Sequence, residues 1–249
     1  MRLMKRILSA AAVLALSASL LVGCSSGTAS SVPVSASSAA ESTVSSVEET
    51  ASSAVDENEA AAAQLLNDLT GSYQELWPVI LADEYKQTWL DDCTALVGEE
   101  NAEAAFEKLS SMVTSDVYGE DAVEAYANGG GAYFCGFTNS LATLTFDGET
   151  STISGTDKDG NVLFSHTYHY IGMEPVHGLY EFESDDADSG EFTYFFLAPD
   201  TSAETYHIEF RYGSDAEALS QYDAGEYAYW VASGISTDCD QTMIDNCIE

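Results

Sequence analysis

The chain has 249 residues, 45% of them hydrophobic, enough for one large domain or two small ones with a sizeable core. Its charge is lopsided: 42 Asp and Glu stand against 7 Lys and Arg, a formal net of −35 at pH 7. Arg2, Lys5 and Arg6 precede the first acid, Glu41, so the rest of the chain sets all its acids against Lys86, Lys108, Lys158 and Arg211. Such a surface repels phosphate backbones and anionic headgroups, which excludes nucleic-acid binding and polybasic membrane docking; it concentrates cations instead.

Residues 1–23 read as an export signal: a basic start, then an apolar run from Ile7 to Val22 that is short for a membrane span. The run ends in Leu21-Val22-Gly23-Cys24, which resembles the lipobox of bacterial lipoproteins, where the signal is cut before the Cys and the Cys is acylated. The resemblance implies lipidation at Cys24 and a mature chain held to the cell membrane, on its extracytoplasmic face, by the N-terminal lipid anchor alone. The alternative is an ordinary secretory signal with a chance Cys. Residues 24–58 are rich in Ser, Ala, Thr, Val and Glu and hold no aromatic residue. They bury too little apolar surface to offset chain entropy, so a disordered stalk is expected, with the folded domain over 59–249.

From Glu59 to about Asn128 apolar residues recur at three- and four-residue spacing, which predicts helices. Thr70-Gly71 is a helix stop, Pro78 a break or bend, and Gly129-Gly130-Gly131 the end of the helical half. After Ala132 the pattern changes to β-branched and aromatic runs separated by turn clusters at Asp147-Gly148, Asp157 to Gly160 and Ser184 to Gly190. Six or seven strands are expected over 132–213, at hairpin spacing, which favours a closed barrel or a strongly curved sheet. Helix returns at the end, with Ser214 as a cap for Ala216 to Leu219, and a last short helix over Thr242 to Ile248. The expected class is α+β: an antiparallel β-barrel with flanking N- and C-terminal helices.

Cys93, Cys135, Cys239 and Cys247 form no CxxC, so they read as core thiols or as one or two structural disulfides of open pairing. On one helix Cys239 and Cys247 would lie about 12 Å apart, too far to bridge. Asp157-Lys158-Asp159-Gly160-Asn161 opens like a calcium loop, but Tyr168 stands where a bidentate Glu would be needed, and a hairpin turn is the favoured reading. His166, His169, His177 and His207 all fall in the β half. His166 and His169 differ by an odd number, so only one of them can join a site with His177. The run Thr205 to Gly213 alternates: Tyr206, Ile208, Phe210 and Tyr212 make an apolar face, and Thr205, His207, Glu209 and Arg211 a polar one. His207 and Glu209 project side by side, a geometry that chelates a divalent ion; the competing reading is a solvent face with a Glu209–Arg211 ion pair.

The stretch Leu66-Asn67-Asp68-Leu69-Thr70-Gly71-Ser72-Tyr73-Gln74-Glu75-Leu76-Trp77-Pro78 resembles the start of the ZinT (YodA) family of bacterial extracytoplasmic zinc- and cadmium-binding proteins. The likeness continues through Ala198-Pro199, His207 to Gly213 and Tyr227-Ala228-Tyr229-Trp230, and so spans about 66–235. It implies a lipocalin-like (calycin) barrel with added helices. The family holds its metal with a His-x-His pair, which falls on His207 and Glu209, and with an earlier His, which falls on or near Phe195. The long His-rich loop of the family is missing unless Asp185-Asp186-Ala187-Asp188 takes its place, and His169 or His177 is the candidate for the missing imidazole.

The function expected on these grounds is a lipid-anchored ZinT-like metal-binding domain. It would hold zinc, or another divalent metal ion, on His207 and Glu209 with water in the open positions, and buffer the ion or pass it to a metal-uptake transporter. Release is expected as His207 protonates, near pH 6–7. Two alternatives stand beside it: a lipocalin-like binder of a small apolar ligand, and an interaction lipoprotein whose metal site has decayed. No phosphate loop or nucleophile motif is present, so enzymatic activity is not expected.

Overall fold

The computed structural model describes residues 57–249; the expected export signal, Cys24 and nearly all of the Ser/Ala-rich segment lie outside the described residues. Helix α1, residues 57–68, buries Ala62, Leu65 and Leu66 on one face, and Leu69 follows them into the core. The chain then forms a strand where helix was expected: β1, Gly71–Glu75, pairs with strands on both sides. Its five residues carry no long apolar period, and partners about 70 and 160 residues away in sequence decide its state.

The helical half follows as α2 (Leu76–Ile80), α3 (Lys86–Val97), α4 (Glu99–Ser111) and α5 (Glu120–Ala127). Pro78 sits inside the first turns of α2, where a missing N–H costs nothing. Trp89 of α3 packs on Phe106 of α4 and donates its Nε1–H to the Ile80 carbonyl at 2.7 Å.

Six strands fill the middle: β2 (Thr143–Asp147), β3 (Thr152–Thr156), β4 (Val162–Met173), β5 (Tyr180–Ser184), β6 (Tyr194–Leu197) and β7 (Ile208–Gly213). The Asp157 cluster is the β3–β4 turn, and its carboxylate accepts from the N–H groups of Asp159 and Asn161 at 2.9 and 2.8 Å. Gly148, in the β2–β3 turn, lies so close to α1 that a Cβ there would meet the Asn67 Cα at 2.4 Å. A four-residue helix, α6 (Ser202–Thr205), precedes β7.

At the end α7 (Ala216–Leu219) is capped by Asp215, whose carboxylate accepts from Ala218 N–H, rather than by Ser214. A strand not expected from the sequence, β8 (Ala232–Ser236), comes before α8 (Gln241–Ile248). The eight strands close into one antiparallel barrel in the order β1 to β8, with β8 returning to β1.

Rings fill the bore. Phe182, Phe195 and Tyr212 lie in one cross-strand row, and Phe164 and Tyr168 of β4 reach Phe195 of β6 at 5.9 and 5.4 Å. Because β4 and β6 are not neighbours, these contacts run through the interior. A second core lies outside the barrel, where Leu76, Ile80, Trp89, Ile244, Cys247 and Ile248 pack on Ile235 of β8. All four described cysteines are free thiols. Among the described residues no helix is long and apolar enough to cross a membrane.

Candidate metal-binding site

Strand β7 separates two chemistries. Its inner face presents Ile208, Phe210 and Tyr212 to the bore, all 2% exposed or less. Its outer face carries Glu209 and Arg211, with His207 just before the first strand residue. Tyr206, at φ +65°, takes a left-handed conformation that a bulky residue adopts only when its surroundings impose it.

That local turn places His207 Nδ1 at 2.8 Å from the Thr205 carbonyl oxygen. A carbonyl only accepts, so Nδ1 carries the proton and, in the neutral ring, Nε2 presents its lone pair. Nε2 lies 3.8 Å from Glu209 Oε1. The Cys247 thiol, brought in by α8, lies near enough to the same ring to influence its proton. His207 is 8% exposed while the Glu209 side chain is 41% exposed, so the pair reaches solvent through the carboxylate.

Burial alone would lower the His207 imidazole. The Cys247 and Glu209 side chains outweigh that penalty and push it up to about 10. The metal-free ring is therefore an imidazolium at neutral pH, and the titration near 6–7 expected of an ordinary His does not apply. Cys135 lies close by: burial pushes its thiol up and the Glu209 charge adds to the shift, while the nearby Trp77 indole opposes it.

Imidazole nitrogen, carboxylate oxygen and thiol sulfur are the donors zinc takes. No group of three or more His, Cys, Asp or Glu side chains is arranged to hold an ion among the described residues. The barrel does not bring the other histidines to His207. His169 of β4 is level with Glu183, Tyr194 and, on β7, Gly213, three strand spacings (about 14 Å) across the sheet from β7. Its Nδ1 pairs with Asp185 at 2.8 Å, and His166 Nδ1 pairs with Asp186 at 2.7 Å. The acidic run thus belongs to the β4 histidines. His177 sits in the turn after β4, 3.4 Å from Glu174 and with its ring 3.8 Å from that of Tyr222. Of the four metal candidates, only His207 and Glu209 come together.

Two further expectations need correction. Phe195 faces the bore opposite Tyr212, on the other side of the sheet from His207 and Glu209, so a His at that position could not complete their site. Arg211 makes no ion pair with Glu209. It is fully buried, donates to the carbonyls of Leu219, Gln221 and Tyr227, and stacks 4.2 Å over the Tyr222 ring. The polar face of β7 is not a solvent face, because α8 and the 214–230 segment cover it. Cys247 is the neighbour of His207 that sequence reasoning passed over. Its one signal was the spacing of Ile244, Cys247 and Ile248, which marks the buried face of α8 but not what lies beneath it.

The sequence matches no protein family and no curated protein. Among solved structures, the chain is similar to the Zn(II)-bound ZinT-like domain of Streptococcus pneumoniae AdcA, at 15% identity, with a TM-score of 0.47, over 74% of this chain and 89% of that one. It is also similar to Zn(II)-bound AdcA from Streptococcus pneumoniae, at 13% identity and a TM-score of 0.43, over 73% of this chain and 34% of that one.

Proposed function

We propose that this chain is a lipid-anchored protein of the extracytoplasmic face that binds a divalent metal ion, zinc above others, and buffers it or passes it to an uptake system. The observation that carries the reading is the His207 ring, with Nδ1 tied to the Thr205 carbonyl and Nε2 turned toward Glu209. That is how a ligating imidazole is oriented elsewhere: the remote nitrogen donates to a fixed acceptor and the near one faces the ion, which here must displace the imidazolium proton to bind. The sequence resemblance to the ZinT family and the net charge of −35 support it. Zinc here is cargo. His207 and Glu209 would hold it, Cys247 could join by a small movement of α8, and water would fill the remaining positions. The packed rings of the bore oppose the alternative of an apolar ligand inside the barrel.

Zinc calorimetry on the metal-stripped mature chain with Cys24→Ser tests the reading. A one-to-one site lost in His207→Ala supports it. Weak binding at several sites, unchanged by that substitution, means that the acidic surface alone attracts cations, and the reading falls. Acyl labelling that disappears in Cys24→Ala tests the anchor separately.

A further inference from the structure

Between the barrel rim and the helical half lies a groove of about 380 Å³ that the metal reading does not use. Its size falls within the range of small-molecule sites. Trp77, Pro78 and Leu81 form one wall, Val113 and Phe134 another, and Glu75 supplies the single charged side chain.

The groove is held in shape. Phe134 stacks on Tyr118 with ring centroids 5.5 Å apart, and its backbone bridges Thr114 and Trp230. Glu75 Oε1 accepts from the Phe137 N–H at 2.5 Å. The approach depends on Gly136, since a Cβ there would lie 2.7 Å from that oxygen and 2.6 Å from the Phe134 ring. The carboxylate is thus anchored through one oxygen. No Lys, Arg or His lines the groove to balance its charge.

These features select a ligand class. An anion is repelled by Glu75 and by the field of the whole chain, and a neutral apolar molecule would cover the half-buried carboxylate without offering its charge a counter-ion. A cation on a short hydrocarbon chain meets both needs. Its charge pairs with Glu75 or lies on the Trp77 or Phe134 ring face, while its methylenes cover Leu81 and Val113. We propose that this groove binds a small organic cation, a short alkylammonium, with Glu75 as the counter-charge and Trp77 and Phe134 as the aromatic walls. Neither His207 nor Glu209 lines the groove.

The test is calorimetric titration of the metal-stripped mature chain with hexylammonium, hexanol and hexanoate. Hexylammonium is expected to bind one-to-one, hexanol at least about tenfold more weakly, and hexanoate not at all. Glu75→Gln keeps an acceptor for the Phe137 N–H and is expected to weaken hexylammonium by about tenfold or more. Thr114→Lys, which places a cation in the groove without touching the carboxylate, is expected to do the same. His207→Ala is expected to leave binding unchanged, which separates this site from the metal site. Equal binding of hexanol and hexylammonium, binding indifferent to both groove substitutions, loss of binding in His207→Ala, or no one-to-one binding at millimolar ligand would each overturn the proposal.

Discussion

The two faces of β7 solve burial in opposite ways. On the inner face Phe210 and Tyr212 stack among the rings of the bore, and the one polar atom there, the Tyr212 hydroxyl, is satisfied by the backbone of Thr138. On the outer face His207, Glu209 and Arg211 are polar, yet α8 and the 214–230 segment cover most of them. An alternating strand ordinarily gives one face to the core and one to water. Here water is displaced from the inner face and from His207 and Arg211 on the outer one, so those two side chains must find an acceptor or a ligand. Arg211 ends on three carbonyls. His207 ends on one carbonyl and keeps its second nitrogen directed at a carboxylate that solvent can reach. Chemistry belongs to the outer face because only there does a buried ring direct a nitrogen at a group that solvent, or an ion, can reach.

The comparison breaks most visibly at Arg211. Arg211→Ala leaves the carbonyls of Leu219, Gln221 and Tyr227 without their donor, and a loss of about 3–5 kcal/mol is expected in urea denaturation. A result under about 1 kcal/mol would mean that water replaces the guanidinium. Phe195→His tests the inner face. The imidazole enters the bore unpaired, at a cost of about 1–3 kcal/mol, and zinc affinity does not improve because the ring lies on the wrong side of the sheet. Improved affinity in calorimetry would put Phe195 and His207 on one face after all.

On the outer face, zinc affinity is expected to fall by about tenfold or more in His207→Ala and by less in Glu209→Gln, because water can replace a half-exposed carboxylate more easily than a buried ring. An equal loss in both variants would make the carboxylate the principal ligand. The pH behaviour follows from the raised His207 value. Its folded-state value, about 10, lies above the ordinary 6.5, so the stability it contributes is fully present below about 6.5 and is lost as pH rises through about 10. The ring resonances of His207 in the metal-free protein should therefore titrate near pH 10, and a midpoint near 6.5 would show that Cys247 and Glu209 do not hold the proton. The smallest effect is at the base of α8. Asp240→Ala removes the side-chain acceptor for Met243 N–H and should cost about 1 kcal/mol in thermal unfolding, with a modest drop in zinc affinity if Cys247 takes part.

Much of the barrel was legible from local pattern. The hairpin turns at Asp147-Gly148 and Asp157 to Gly160, the strands between them and the alternation of 208–213 appear in the structure where period and turn chemistry place them, whereas Tyr206 precedes the strand and packs on the outer core. β1 and β8 were not legible, since each is five residues long and the two close the barrel by pairing with each other across the whole domain. The site divides in the same manner. His207 and Glu209 could be paired from spacing, because side chains two apart on a strand share a face whatever surrounds it. Their link to Cys247, the separation of His169 and His177, and the burial of Arg211 depend on which helix covers which face.

By itself, then, the sequence determined the charge of the chain, the α+β class, the hairpins of the central strands and the alternation along them, because these follow from composition and short-range period. Only the tertiary structure decided that the bore is closed by rings, that the polar face of β7 is roofed over, and that each histidine faces a carboxylate of its own. The reason is the same each time: these outcomes rest on contacts between segments far apart in the chain, and no local pattern records which distant segment will arrive.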